Sequence, residues 1–126
     1  MKKYLMLMII TIFTSSLFAQ NNCLDFDGTD DYVAMPDMAE TSSGTIEFWL
    51  KVDNFATDNN CFTNAPIGSN TIAFDIGTDG KISFNIHSGG SWKTLVTTDA
   101  IPLNTWIHVA GSWDGTTMRF YINGEK

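Results

Sequence analysis

The chain is poor in positive charge. Seven Lys and Arg stand against fourteen Asp and Glu in 126 residues, a formal net of −7. The basic residues form no cluster, so the chain is not built to hold nucleic acid or to sit on an anionic membrane surface. Cysteine is scarce as well: Cys23 and Cys61 are too far apart for a CxxC motif. HExxH and a Ser-His-Asp arrangement are also lacking. Past the N-terminal segment, no apolar run is long enough to cross a bilayer. Amphipathic helical windows of useful length, low-complexity tracts and internal repeats are missing too. These absences leave one small domain as the expected content of the chain.

What is present begins with a leader. Lys2 and Lys3 precede an almost unbroken apolar run from Tyr4 to Phe13, and Ser15, Ser16 and Ala19 supply small residues near a cut after Ala19. This is the layout of a secretory signal peptide over residues 1–19. Cleavage removes Lys2 and Lys3 and leaves five basic residues against fourteen acidic ones, a formal net of −9. The chain is therefore expected to be secreted or displayed on the cell surface. In an oxidising compartment the two cysteines are expected to form one disulfide, Cys23–Cys61. That bridge closes a long loop, worth about 3–4 kcal/mol in the chain-entropy model.

After the leader, apolar residues recur with period 2. Ile46, Phe48, Leu50 and Val52 alternate with Glu47, Trp49 and Lys51. Ile72, Phe74 and Ile76 repeat the pattern, as do Ile82, Phe84 and Ile86, and then Met118, Phe120 and Ile122. This is strand periodicity with one buried face, in segments rich in Ile, Val, Phe, Trp, Tyr and Thr. Thr78-Asp79-Gly80-Lys81 has the composition of a tight hairpin turn, and Asp114-Gly115-Thr116 links two further strands. Eight or nine short strands with Gly- and Asp-rich turns predict an all-β, antiparallel two-sheet sandwich.

The acidic stretch Asp25-Phe26-Asp27-Gly28-Thr29-Asp30-Asp31 admits two readings. Hard oxygen donors in a loop suit calcium, with Asp27 and Asp30 as the first candidate ligands. An EF-hand loop is excluded, because Gly28 and Pro36 fall at its positions 4 and 12 when counted from Asp25. The other reading, which we favour, is a hairpin turn joining Leu24–Asp27 to Tyr32–Met35. There Asp accepts local N–H groups and Gly takes positive φ. Among the aromatics, Trp49 and Trp92 are candidate ligand-binding residues. An indole face covers the apolar face of a pyranose while polar neighbours fix its orientation. Cys61 as a nucleophile wants a paired histidine, and nothing local couples it to His87 or His108.

The pieces LDFDGTDDYV, GTIEFWLKV, DGKISFNIHSG and IPLNTWIHVAGSWDGTTMRFYING occur in this order. Over roughly residues 23–126 they closely resemble the laminin G-like, concanavalin A-like lectin/glucanase jelly roll in its bacterial form. The resemblance implies two antiparallel sheets packed face to face, one concave and one convex. It implies a non-catalytic recognition module for carbohydrate or glycoprotein, serving adhesion or substrate targeting. It places Trp106 and Trp113 among packed residues and makes His108 an ordinary strand histidine. Some members hold calcium near the N-terminal hairpin. Glucanases of this fold carry a Glu-x-Asp-x-Glu run on one strand; here Glu47 is followed on its face by Trp49 and Lys51, so the carboxylate pair is missing. Family members continue past the Asn123-Gly124 turn with further strands. The chain is therefore expected to be a piece of a longer secreted protein with other domains. A structural or protein–protein interaction role, and an accessory role beside a larger hydrolase, are the alternatives.

Overall fold

A computed structural model describes residues 23–35, 42–57, 59–64 and 70–126. The leader expected at residues 1–19 lies outside the described residues. The chain divides into two compact units, Met1–Ala34 and Met35–Lys126.

The second unit is all β. Its strands are β1 (Gly44–Leu50), β2 (Asn59–Thr63), β3 (Ile72–Ile76), β4 (Ile82–Ser88), β5 (Ser91–Val96), β6 (Ile107–Trp113) and β7 (Met118–Ile122). They form two antiparallel sheets, β1-β6-β7 and β2-β3-β4-β5. No helix occurs among the described residues. The period-2 pattern sets the faces. Ile72, Phe74, Ile76, Ile82 and Phe84 of one sheet are buried with Ile107, Val109 and Phe120 of the other. Ile46, Phe48, Leu50, Ile86, Met118 and Ile122 pack against them. Each such fully buried side chain contributes roughly 1.5–3 kcal/mol relative to exposure. The sheets meet through aromatic rings: Phe48 of β1 meets Phe74 of β3 edge-on, with centroids 5.3 Å apart.

Two glycines make this packing possible. Gly111 lies where β6 crosses the phenylalanines; a Cβ there would stand 2.6 Å from Cζ of Phe74. Gly80 closes the β3–β4 turn at φ 76° and donates its N–H to the carbonyl of Gly77 at 2.9 Å. A Cβ on Gly80 would meet the Phe55 ring at 2.7 Å.

Two expectations need correction. Residues 23–35 contain no strand, so the hairpin Leu24–Asp27/Tyr32–Met35 is not formed. Leu24, Phe26, Tyr32 and Val33 are exposed. The aspartates take backbone N–H groups that a ladder would use: Asp27 N donates to Oδ2 of Asp31 at 3.0 Å, and Thr29 N donates to Oδ1 of Asp27 at 2.8 Å. A lone two-stranded ribbon has too little to bury to hold itself together. Trp106, expected in the core, is also exposed, because it precedes β6 at a position that alternates with the buried Ile107. Trp113 does pack against the core.

Candidate functional site

The outer face of the four-stranded sheet carries a depression of about 310 Å³, lined by Asn60, Thr63, Thr71, Ala73, Asp75, Asn85, Trp92 and Thr94. Alternation turns these residues away from the core, and the strand register brings them together. Asn60 stands opposite Asp75, Ala73 opposite Asn85, and Asn85 opposite Thr94. Asp75 is the centre of the floor. One carboxylate oxygen accepts from Nδ2 of Asn60 at 2.8 Å and the other from Nδ2 of Asn85 at 2.7 Å. Nδ2 of Asn85 also donates to Oγ of Ser83 at 2.8 Å, and Oδ1 of Asn85 accepts from Oγ1 of Thr94 at 2.7 Å. Four strands thus share one hydrogen-bonded network, which fixes its rotamers before any ligand arrives.

Trp92 walls this depression and is 46% exposed. Its cross-strand partner is His87, whose ring centroid lies 4.9 Å from the indole. The site therefore joins an accessible aromatic face to a rigid row of amides, a carboxylate and hydroxyls. That combination suits a ligand with one apolar face and several hydroxyls.

Trp49 is not part of this site. It lies on the outer face of the three-stranded sheet, the opposite side of the sandwich, and is 64% exposed. His108 is its partner across the ladder, 5.3 Å away between ring centroids. Nε2 of His108 lies 3.6 Å from Oε2 of Glu47, and Nζ of Lys51 lies 5.8 Å from the centroid of Trp106. Glu47 thus faces the imidazole of His108.

In the first unit, carboxylate oxygens of Asp27, Asp30 and Asp31 lie within 4.8 Å of one another, all on exposed residues. The two aspartates singled out in the sequence are brought together, and Asp31 joins them. This set has the oxygen chemistry that calcium takes, while Asp27 and Asp31 also accept the N–H bonds of the turn.

The two cysteines expected to pair lie in different units, Cys23 as an exposed free thiol in the first and Cys61 as a half-buried free thiol in the second. Cys61 falls where the β2–β3 register shifts, between Asn60 and Phe62. Burial pushes its pKa up to about 12, and the Asp75 carboxylate adds to the shift. A thiol so far from ionising is no nucleophile.

Asn60, Asp75, Asn85 and Thr94 carry no motif that marks them in the sequence. Alternation makes each outward-facing, but only the pairing of four strands shows that they meet.

A laminin G-like family model, described as the concanavalin A-like lectin/glucanases superfamily, matches residues 27–126. The chain belongs to this family. Among solved structures it is similar to residues 221–444 of an S-layer domain-containing protein from Clostridium thermocellum, at 35% identity and a TM-score of 0.54. The match covers 84% of this chain and 51% of that one, so the chain spans about half of that structure's length. No curated protein matches it.

Proposed function

We propose that this chain is a non-catalytic recognition module of a secreted or cell-surface protein, binding carbohydrate, free or on a glycoprotein, on the outer face of the four-stranded sheet. The observation that carries this reading is Trp92 standing beside the Asn60–Asp75–Asn85–Thr94 network in one depression. The indole supplies the stacking surface, and the network supplies fixed donors and acceptors. The lack of a carboxylate pair around Glu47 supports a binding role over hydrolysis. Similarity to an S-layer domain-containing protein supports display at the cell surface. No helix among the described residues is long and apolar enough to cross a membrane. In a longer parent chain the module would direct other domains, hydrolytic ones included, to a glycan. Asp27, Asp30 and Asp31 would hold a calcium ion, which would order the acidic loop.

The test is a glycan array probed with the wild-type chain, Trp92→Ala and Trp49→Ala. Binding that Trp92→Ala abolishes and Trp49→Ala leaves intact supports the assignment. The reverse pattern moves the site to the other face. A second reading, a protein-binding surface, draws on that other face, where Trp49 and Trp106 are both exposed. Indoles of this kind anchor protein interfaces. An array with no signal favours it.

A further inference from the structure

β1 ends its sheet: among the described strands, β6 is its one neighbour. Its inward row is incompletely covered. Ile46, Phe48 and Leu50 are half-buried, whereas Ile107 and Val109 of the adjacent β6 are 1% and 0% exposed. Backbone direction marks the open side. The carbonyl of His108 accepts the N–H of Asn123 at 2.8 Å, so His108 turns its backbone groups to β7, and Ile107 and Val109 turn theirs to β1. Phe48 stands opposite Val109 and meets those groups. By alternation, the N–H and C=O groups of Glu47, Trp49 and Lys51 point to the open edge. A row of backbone groups along an open edge is a template for another strand.

Edge strands are commonly guarded by charge, and a guard of one sign repels a second copy. This edge carries both signs, placed symmetrically. On its outer face Glu47 lies two residues before Trp49, and Lys51 two residues after it. All three side chains are exposed. His108 beside Glu47 and Trp106 beside Lys51 hold the two charges on that face without covering them. In an antiparallel pairing with a two-fold axis at Trp49, each Glu47 stands opposite the partner's Lys51. On the inner face Phe48 meets the partner's Leu50, and Ile46 meets the partner's Val52, so the half-buried apolar rows cover each other. An axis at Glu47 sets that carboxylate against its own copy, which is unfavourable. An axis at Phe48 sets Glu47 against an indole. Charge therefore selects the register centred on Trp49.

We infer that β1 is a self-association edge: a second copy of this chain pairs with it antiparallel about Trp49, held in register by two Glu47–Lys51 ion pairs. The contact is isologous, the same surface on both copies, and closes on itself as a dimer. It joins two three-stranded sheets into one of six strands. The two-fold axis runs along the sheet normal, so the depressions of both copies face the same way. The pairing does not depend on the saccharide reading; together with that reading it makes the assembly bivalent. One strand on each side is a small interface, so the association is weak and depends on concentration.

The test is sedimentation velocity of the whole chain from about 5 to 500 µM. Wild type should pass from monomer to dimer across this range. Glu47→Lys sets lysine against lysine at both crossings, and Lys51→Glu sets glutamate against glutamate. Each alone should weaken dimerisation about tenfold. The double variant Glu47→Lys/Lys51→Glu restores opposite signs and should dimerise like wild type. An equimolar mixture of the two single variants should form a heterodimer, because every crossing then joins lysine to glutamate. Recovery in the mixture also shows that both single variants are folded. A wild-type chain that stays monomeric throughout overturns the inference, as does a dimer that both single variants leave intact. Loss in the single variants with no recovery in the double variant or the mixture overturns it too. None of these outcomes bears on the depression, which the glycan array tests separately.

Discussion

Phe74 and Phe84 stack face to face across the β3–β4 ladder, with ring centroids 4.8 Å apart and planes 15° from parallel. Both are fully buried, and both touch Phe120 of the opposite sheet at 6.1 Å. This pair is the point through which the two sheets hold each other. Phe84→Ala should cost about 3–5 kcal/mol, the usual range for emptying a buried phenylalanine site. Gly111→Ala, which drives a methyl between the same two rings, should cost about 1–3 kcal/mol by overpacking. Urea denaturation followed by tryptophan fluorescence measures both. A wild-type midpoint in Gly111→Ala would show that the rings yield freely and that the core is looser than their contacts indicate.

The core is legible in the sequence, and the phenylalanine stack shows why. Alternation alone assigns Phe74 and Phe84 to the buried face, because one face of each strand must leave water. The depression is not legible there. Asp75 and Asn85 are merely outward-facing in their own strands, and nothing local says that β3 and β4 pair in a register that sets their side chains 2.7 Å apart. Trp92 is a candidate by its chemistry, but its separation from Trp49 by the whole sandwich follows from sheet membership, which is a long-range property. The hairpin at residues 24–35 fails for a related reason. Strand-like composition licenses a strand only where a neighbour completes the ladder, and the aspartates there find closer partners in their own turn.

Asp114 gives a prediction with a definite sign. Its carboxylate accepts from the backbone N–H of Thr117 at 2.9 Å and of Thr116 at 3.2 Å, from Oγ1 of Thr116 at 2.9 Å and from Nη1 of Arg119 at 3.1 Å. These bonds, the Thr117 N–H foremost, hold its pKa well below the usual carboxylate range. A folded-state value below the unfolded one means that the ionised turn stabilises the fold above the ordinary carboxylate range. That contribution is lost as pH falls through the range and on toward the folded value. Asp114→Asn should therefore melt earlier than wild type at pH 7, and the gap should narrow at pH 3. A gap that stays constant between the two pH values would mean that the charge of Asp114 plays no part in the turn.

The two thiols should behave differently. Cys23 is exposed, whereas Cys61 is half-buried with its pKa near 12. With the chain reduced, Cys23 should react with a chromogenic disulfide reagent within the mixing time at pH 8. Cys61 should react only as fast as the fold opens, because the thiolate is the attacking species. Adding urea beyond the unfolding midpoint should bring both rates together. Fast reaction of both cysteines in the folded chain would contradict the burial of Cys61.

Calcium is the sharpest test of the acidic loop, because the two roles of its aspartates make opposite demands. Asp27 and Asp31 already accept N–H bonds within the turn, and an ion drawn to Asp27, Asp30 and Asp31 must share those oxygens. If it does, a ligand that binds only the folded loop stabilises it by about 2.7 kcal/mol at a hundredfold excess over Kd. The thermal midpoint should then rise and saturate across a calcium titration after EDTA, and Asp30→Asn should flatten that rise with little effect in EDTA. Asp30 is the informative choice because no bond of the turn among those described depends on its side chain, whereas Asp27→Asn would disturb turn and ion site alike. A midpoint indifferent to calcium in wild type would leave the three carboxylates as a turn that holds itself by its own N–H groups.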